Sequence, residues 1–567
     1  LRDRYSDIRI ILSVTRLHES IRLKPKLDLT PIVTPYSGKE DLGVFTKEYL
    51  QFLEDSPNVK KLHSSLPKLY GSQELIGRIR SGPNGQAIVT SHYDAVAVCQ
   101  DIKLYNSIKG LNGLLSQSHI TSNMEWCAAQ SHDFKFPKPL CTGKLSLDSE
   151  PAGKTRLFAI GDYWSQNSLQ TLHDWLMKIL KSLPCDATYD QDKGFERILS
   201  MKVRYMASFD IRKFTCRVPL CLQTATLGHY TSHDLARYWE GIVGGRRFRT
   251  PDGEYVTWVV GQPLGLLSSW AACTLLHHHL VWFSSFLYFK DHRPFTGYQI
   301  LGDDIVIWHQ GVGETYARLL DRLGIEINIE KSKLYNTSNE RKPIFEFAKR
   351  LGVNGSEISG IPFTMLKVST DSIYNYVDLV LHLVKTRLLQ AGGINLALPE
   401  YLSSRGKYYL EILLWEKSLG RPAWLHSRLG NALSETVLLN SLRKRIAKLR
   451  IAGFRELIEN LDKLCYSSNL EQELNKAGVT HSESLIGYGS PYYHPIVHAL
   501  NSVGMKMYDT LPLLETLENE MTERELKLPE LTETEYLPLP YLSAHFERPG
   551  KCNPERLRRH SQLVLTT

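Results

Sequence analysis

The segment Tyr298-Gln299-Ile300-Leu301-Gly302-Asp303-Asp304-Ile305-Val306-Ile307 constrains the fold of this chain more than any other. Apolar residues on both sides of a Gly-Asp-Asp tripeptide predict two strands joined by a tight turn, a hairpin from Tyr298 to Trp308. Glycine lets the backbone turn sharply and approach a ligand. Two adjacent carboxylates at such a tip are costly, because like charges that close repel. A divalent cation between them removes the penalty. An exposed Gly-Asp-Asp turn is also common on surfaces, so a catalytic reading needs partners elsewhere in the chain.

Those partners occur in a definite order. Val203 to Ile211 reads as a buried strand ending on Asp210. Two-metal nucleotidyl transfer needs carboxylates from separate strands, converging on cations about 3.5–4 Å apart. Asp210 with the Asp303–Asp304 pair is the minimal set, although Asp210 alone would be an ordinary turn residue. Between them, Gly261 to Trp270 is a Gly/Pro-rich loop running into a helix, with Gly265, Ser268 and Ser269 able to lie against a nucleotide or RNA strand. The plainer alternative is a helix start with serine as N-cap. His277, His278 and His279 point in different directions on a helix, which predicts core or polar-network roles rather than a shared metal.

Upstream, Lys154 and Arg156 alternate in Glu150-Pro151-Ala152-Gly153-Lys154-Thr155-Arg156 and so face one side of an extended segment. That suits an incoming triphosphate, with lysine as point charge and arginine as planar fork. Taken alone it reads as a solvated surface strand. Downstream, Leu323 to Lys333 reads as an alternating strand ending in Lys331 and Lys333. One of these lysines could protonate a leaving pyrophosphate; a charged loop fits equally.

Composition narrows the class. A length of 567 residues predicts two to four packed subdomains. With 42% hydrophobic and 23% charged residues the chain is neither disordered nor fibrous. A net charge of +8 permits a polyanionic partner without demanding one. The nine cysteines include no CxxC pair, which leaves zinc ribbons unsupported and predicts reduced thiols. Leu264 to Tyr288 contains three histidines and several serines, so a buried helix suits it better than a membrane span. No targeting signal is visible, but the chain starts at Leu1 rather than Met, so that absence carries little weight.

Further elements follow from local pattern. Ser81 to Gly85 is turn chemistry, and Ala87 to Val98 reads as a strand running into a helix. Residues 160–182 have helical spacing, and Arg246 to Trp258 reads as a hairpin with Pro251-Asp252-Gly253 at its tip. Beyond Phe363 the pattern is mainly helical, including Ile373 to Leu389 and the basic helix Leu438 to Arg450. Leu514 to Leu542 is acidic, and Arg548 to His560 is basic.

In this order the motifs resemble the palm of viral RNA polymerases. The wording "EPAGKTRLFAIGDYWSQNSLQTLHDWL", "ASFDIRKFTCRVP", "GQPLGLLSSWAACTLLHHH", "LGDDIVI", "INIEKS" and "FEFAKR" resembles the mitovirus RNA-dependent RNA polymerases across residues 81 to 370. The resemblance implies an α+β right-hand polymerase fold of fingers, palm and thumb, with an antiparallel palm sheet and a mainly helical thumb. It implies an N-terminal extension packing on the fingers over 1–80, fingers over 81–200, and a palm over 201–365 with a finger-like insertion at 222–258. A thumb over 366–505 and a tail over 506–567 complete the expected order.

By the same resemblance, Asp210, Asp303 and Asp304 hold two Mg²⁺ or Mn²⁺ ions, and Lys331 is a catalytic lysine with Lys333 beside it. Lys154, Arg156, Arg217, Gly265, Ser268 and Ser269 contact nucleoside triphosphate or RNA. Phe345 to Arg350 matches a primer-grip-like segment, and the basic helix near Arg443 would be a thumb surface for product backbone. RNA template, RNA product and nucleoside triphosphates are the implied partners, with no membrane span and no capsid protein. The implied location is the host mitochondrion.

One departure matters. The family's Ala-Thr-Asp-Arg run reads Phe214-Thr215-Cys216-Arg217 here, so Cys216 stands where a carboxylate helps recognise ribose. A thiol is a weak donor, uncharged at neutral pH unless perturbed. Together with the bulky Lys213 and Phe214, this keeps open a defective or host-integrated copy that binds RNA without catalysis. A reverse transcriptase-like enzyme is disfavoured by Gly302, since those resemble Tyr-x-Asp-Asp.

Overall fold

The computed structural model describes residues 2–369, except 22, 70, 72–74, 76–77, 79, 132–138, 151–154, 330–331, 337–343, 354, and a few positions between 378 and 388. The chain divides into two compact units, one of Arg22–Ser359 and one joining Leu1–Ile21 to the residues from Gly360 onward. Residues 1–21 and 22–80, expected together as one extension, fall in different units. In the second unit, helix α1 (Arg2–Thr15) is followed by a 3₁₀ turn, Arg16–Ser20.

Arg22–Ser359 begins with α2 (Thr30–Val33), α3 (Leu42–Asp55) and α4 (Pro57–Ser64), followed by α5 (Ser91–Gln100), α6 (Ile102–Leu114) and α7 (Ser118–Gln130). Asp41 starts α3 by accepting from the amides of Gly43 and Val44. The strand expected from Ala87 is absent: Thr90 N–H bonds the Gln86 carbonyl and Asp94 N–H bonds Thr90, so the chain is already turning into α5. Next come β1 (Gly143–Ser149), β2 (Thr155–Gly161), α8 (Tyr163–Ser182) and α9 (Gln191–Ser200). Asp162 ends the hairpin and caps α8, its carboxylate accepting from Ser165 N–H at 2.7 Å.

The central elements follow: β3 (Tyr205–Phe209), α10 (Phe214–Arg217), α11 (Leu220–Tyr230), α12 (His233–Val243), β4 (Phe248–Arg249), β5 (Tyr255–Val256) and α13 (Ser269–Phe289). Then come β6 (Tyr298–Leu301), β7 (Asp304–Ile307), α14 (Gln310–Arg322), β8 (Lys333–Asn336), β9 (Ile344–Phe347), β10 (Arg350–Val353) and β11 (Ser356–Glu357). Both expected hairpins form, β4–β5 and β6–β7, and 160–182 supplies the end of β2 and the whole of α8. The alternating strand expected before Lys331 is reduced to one bridge, Ile327 to Ile211, and the regular strand starts only at Lys333.

Strands β6-β7-β3-β8 form an antiparallel sheet in that order. Phe209 pairs with Ile305 and Ser208 with Val306, so alternate residues address opposite faces. On one face Met206 and Val306 pack with Phe195 and Ile198 of α9 and with Phe345 and Phe347 of β9. On the other face Phe209 meets Tyr316 of α14, with ring centroids 5.5 Å apart. Both faces are covered, which is why the strands read as continuous apolar runs rather than alternating ones. Burying Ile305, Val306 and Ile307 contributes about 1.5–3 kcal/mol each. This holds the hairpin firmly enough to carry charges at its tip.

A second sheet, β2-β1-β4-β5, carries Arg156, and a small β11-β10-β9 sheet carries Lys349 at its β9–β10 turn. In the unit that contains α1, α15 (Phe363–Val368) follows Ile361, whose N–H donates to Ser13 Oγ at 2.8 Å. The fold is α+β, with its central sheet antiparallel as expected. The helices expected over 438–450 and most of 373–389, and the remainder of the expected thumb and tail, lie outside the described residues.

Candidate active site

The β6–β7 turn has Gly302 at its first central position with φ +62°, as a glycine-first two-residue hairpin loop requires. A Cβ there would lie 2.8 Å from Trp270 Nε1, so glycine is also needed for close packing against α13. Asp303 is exposed at the tip, while Asp304 is half-buried. Asp210 lies one step past the paired residues Phe209 and Ile305, at the same edge of the sheet. The three carboxylates expected from separate strands therefore gather at one end of the central sheet.

Their charges act on one another. Burial pushes the Asp304 carboxyl up to about 6, reinforced by Asp303, Glu346 and Asp210, while the Ala348 backbone amide pulls it down. The walls of the site displace enough water to raise Asp303 as well, and Asp210 adds to this; Arg156 and Lys349 oppose it. Arg156, on the β2 strand, thus acts on the Gly302-Asp303-Asp304 turn from a different sheet. Its guanidinium also pairs with Glu150 at 2.7 Å. Lys349 reaches the site from a turn in which both Ala348 (φ +53°) and Lys349 (φ +59°) are left-handed. Such backbone is strained for non-glycine residues and persists where the surroundings hold it.

Asp210 is held by residues the sequence reading overlooked. Asn328 Nδ2 donates to its Oδ2 at 2.9 Å, and Asn328 N–H donates to its carbonyl at 2.8 Å. The Asp210 amide donates to Ser332 Oγ at 3.1 Å. Asn328 and Ser332 lie on either side of Lys331 in the run Asn328-Ile329-Glu330-Lys331-Ser332, and no local pattern marks the asparagine as a partner of Asp210. Lys331 and Lys154 lie outside the described residues, and of Lys333 only the strand position is described.

The Gly265 loop is built against β2. Ala159 N–H donates to the Leu264 carbonyl at 2.7 Å, and Gly265 (φ +126°) passes so close that a Cβ would lie 2.2 Å from the Ala159 carbonyl. Gln166 of α8 clamps the loop, donating to Gly265 O at 3.2 Å and accepting from Leu267 N–H at 3.0 Å. Ser268 occupies the N-cap position of α13 but makes no capping bond; it is left-handed (φ +66°) and buried. Its Oγ instead accepts from Trp239 Nε1 at 2.8 Å. Ser269 Oγ is buried with no hydrogen-bond partner among the described residues.

Two other expected contacts point elsewhere. Arg217 is occupied by the 34–37 segment, donating to the carbonyls of Thr34 at 2.7 Å and Pro35 at 2.9 Å. Cys216 is half-buried, and Trp258 Nε1 approaches its Sγ at 3.4 Å. Burial raises the thiol, so it stays uncharged at neutral pH.

The three histidines are fully buried, each with its own partners. His277 bonds Gly302 O and the Tyr316 hydroxyl at 2.8 and 2.6 Å. His278 bonds the Tyr298 hydroxyl and Asp186 at 2.9 and 3.0 Å. His279 bonds Leu275 O and the Tyr230 hydroxyl, both at 2.7 Å. None shares a ligand with its neighbour, as the helical geometry predicts.

Among the described residues, no three His, Cys, Asp or Glu side chains form a ready-made metal cage. The donors that do gather are hard carboxylate oxygens, the type magnesium takes one or two of while substrate phosphates and waters supply the rest. A surface depression lined by His63, Pro67, Trp175 and Tyr230 includes none of these carboxylates. No described helix is long and apolar enough to cross a membrane.

The RNA-directed RNA polymerase of Cryphonectria parasitica mitovirus 1 (strain American chestnut tree/New Jersey/NB631) is 29% identical to the chain over 417 residues, 70% of this chain and 49% of that protein. The chain thus spans about half the length of that curated relative. An uncharacterized mitochondrial protein of Arabidopsis thaliana is 34% identical over 186 residues, 31% of this chain and 71% of that protein. Among solved structures, the insertion-loop deletion mutant of the RNA-dependent RNA polymerase of a human picorbirnavirus aligns with 75% of this chain and 98% of its own, at 12% identity and a TM-score of 0.36. The family model for mitovirus RNA-dependent RNA polymerase matches residues 67–485, which include Asp210, the Gly265 loop and the Gly302-Asp303-Asp304 turn, and the chain belongs to that family.

Proposed function

We propose that the chain is an RNA-directed RNA polymerase that extends an RNA 3′ end from nucleoside triphosphates on an RNA template. The observation that supports this best is the gathering of Asp210, Asp303 and Asp304 at one sheet edge, faced by Arg156 from the β1–β2 hairpin. Asp210, Asp303 and Asp304 would hold the divalent cations, whose hard-oxygen preference they match. Bound there, two Mg²⁺ or Mn²⁺ ions supply charge stabilisation for the attacking and leaving oxygens.

The protein's own groups do the rest. Arg156 neutralises the triphosphate with its planar fork. The Gly265 loop, held against β2 and clamped by Gln166, would offer its backbone to template or nucleotide. Asn328 and Ser332 hold Asp210 in one orientation, so that its carboxylate is not reorganised during the reaction. Lys154 and Lys331 keep their expected roles by family likeness, as triphosphate ligand and general acid. The mitochondrion is the proposed location, supported by the family and by the Arabidopsis relative.

Primer extension on an RNA template with four ribonucleotides and Mg²⁺ tests the reading. Extension should fall by about a hundredfold or more in Asp303→Ala, since charge stabilisation worth several kcal/mol is lost. A second reading, a copy that binds RNA without catalysis, draws support from Cys216, at a position where the family likeness implies a ribose-reading carboxylate. RNA binding without extension by the unaltered chain would favour it.

A further inference from the structure

Helix α13 grips the Gly302-Asp303-Asp304 turn from behind. Trp270 packs its indole against Gly302, and about two turns further along the same face His277 bonds the Gly302 carbonyl at 2.8 Å. A carbonyl only accepts, so His277 carries its proton on Nδ1, and Nε2 accepts from the Tyr316 hydroxyl at 2.6 Å. The ring is wholly buried, wedged between Phe214 (centroids 4.6 Å) and Tyr316 (5.9 Å). It has no room to rotate away without breaking both bonds.

The bonded carbonyl belongs to the Gly302–Asp303 peptide. In a trans peptide the C=O and N–H point in opposite directions. Holding the carbonyl towards α13 therefore turns the Asp303 N–H away from the helix. That same N–H lies close enough to its own side chain to hold the Asp303 carboxyl down. A peptide flip is otherwise inexpensive here, because Gly302 tolerates backbone angles that other residues do not.

We propose that His277 is a positioning residue for the polymerase reaction: its Nδ1–H fixes the Gly302–Asp303 peptide plane and thereby the direction of the Asp303 carboxylate. This rests on the proposed role of Asp303 as a metal ligand. The histidine touches no substrate and acts through one backbone carbonyl. It also accounts for a fully buried histidine at a position where an apolar side chain would fill the same space.

Three substitutions separate the hydrogen bond from the packing. His277→Asn places an amide N–H where Nδ1 stands and keeps the donor to Gly302. His277→Gln places it nearer the Tyr316 side, and His277→Leu removes it. Two readouts are taken on the full chain with primer–template RNA: Mn²⁺ affinity by electron paramagnetic resonance, and single-nucleotide turnover with its KM for the nucleotide. Misplacing a reacting group by about 1 Å costs about 100-fold, so Leu and Gln should lose about 10-fold or more in turnover and bind Mn²⁺ more weakly, with RNA affinity unchanged. Asn should stay within about threefold of the unaltered chain on both readouts, since a neutral donor to the same carbonyl remains.

Equal Mn²⁺ affinity in Leu, Gln and the unaltered chain would overturn the proposal, as would Asn falling as far as Leu with RNA binding intact. If Leu does not fold, the comparison of Asn with Gln decides, because both are polar and of similar size. Failure of the underlying reading has a different signature: Asp303→Ala would then bind Mn²⁺ and extend RNA like the unaltered chain.

Discussion

At the residue scale, substituting one side chain redirects its neighbours. The family likeness implies a carboxylate at the position of Cys216, whose sulfur is approached by Trp258 Nε1. A charged hydrogen bond to a ribose hydroxyl is worth about 1.5–3 kcal/mol, which a neutral thiol does not supply. Cys216→Asp should therefore raise discrimination for ribo- over deoxynucleotides by about 10-fold or more, read as the ratio of the two kcat/KM values. No change in that ratio would mean that the thiol does not face the ribose. Arg217, next in sequence, teaches the complementary point. Its guanidinium holds the Thr34 and Pro35 carbonyls and so ties the 34–37 segment to α10.

At the element scale, the β1–β2 hairpin is anchored at its base by a buried ion pair. Arg246 and Asp162 are both fully buried and 2.5 Å apart, and Arg246 also donates to Ser165 Oγ at 2.9 Å and to the Thr142 carbonyl. Asp94 lies beside them, accepting from Tyr163 N–H at 2.9 Å and from Asn84 Nδ2 at 2.7 Å. Burial and the Asp162 charge raise the Asp94 carboxyl well above its ordinary range, so only one of the two acids needs the arginine. Removing Arg246 would leave Asp162 buried and unpaired. Arg246→Met should cost about 3–5 kcal/mol, seen as a lower urea midpoint, and should loosen the hairpin that presents Arg156. An unchanged midpoint would show that the pair is not needed for folding. The helix α8 that leaves this junction was legible beforehand from its apolar spacing. The junction was not, because its members come from positions 84, 94, 142, 162 and 246.

At the scale of the whole molecule, buried titratable groups set the response to acid. Burial lowers His92, His277 and His279 to about 3, and lowers His119, His173 and His229 as well. Each is neutral in the fold but protonates in the unfolded chain below about 6.5. Their stabilisation is present above that pH and is lost as pH falls towards the folded values. Asp94, Asp303 and Asp304 are raised and act in the opposite sense, but the histidines outnumber them. Stability should therefore fall from pH 6.5 to 4. His279→Asn should flatten that slope by about 1.4 kcal/mol per pH unit, measured by urea unfolding at several pH values. An unaltered slope would show that His279 is protonated in the fold.

The sequence by itself determined the order of the motifs, the two hairpins, the helix after Asp162 and the family. Each of those is written in contiguous residues, as apolar runs, turn chemistry or a short string of functional groups. Only the tertiary structure decided which atoms hold the site: Asn328 on Asp210, His277 and Trp270 on Gly302, Gln166 on the Gly265 loop. These contacts join residues from 25 to 118 positions apart. No local periodicity records such pairs, because what selects them is the packing of helices and strands that must first be formed.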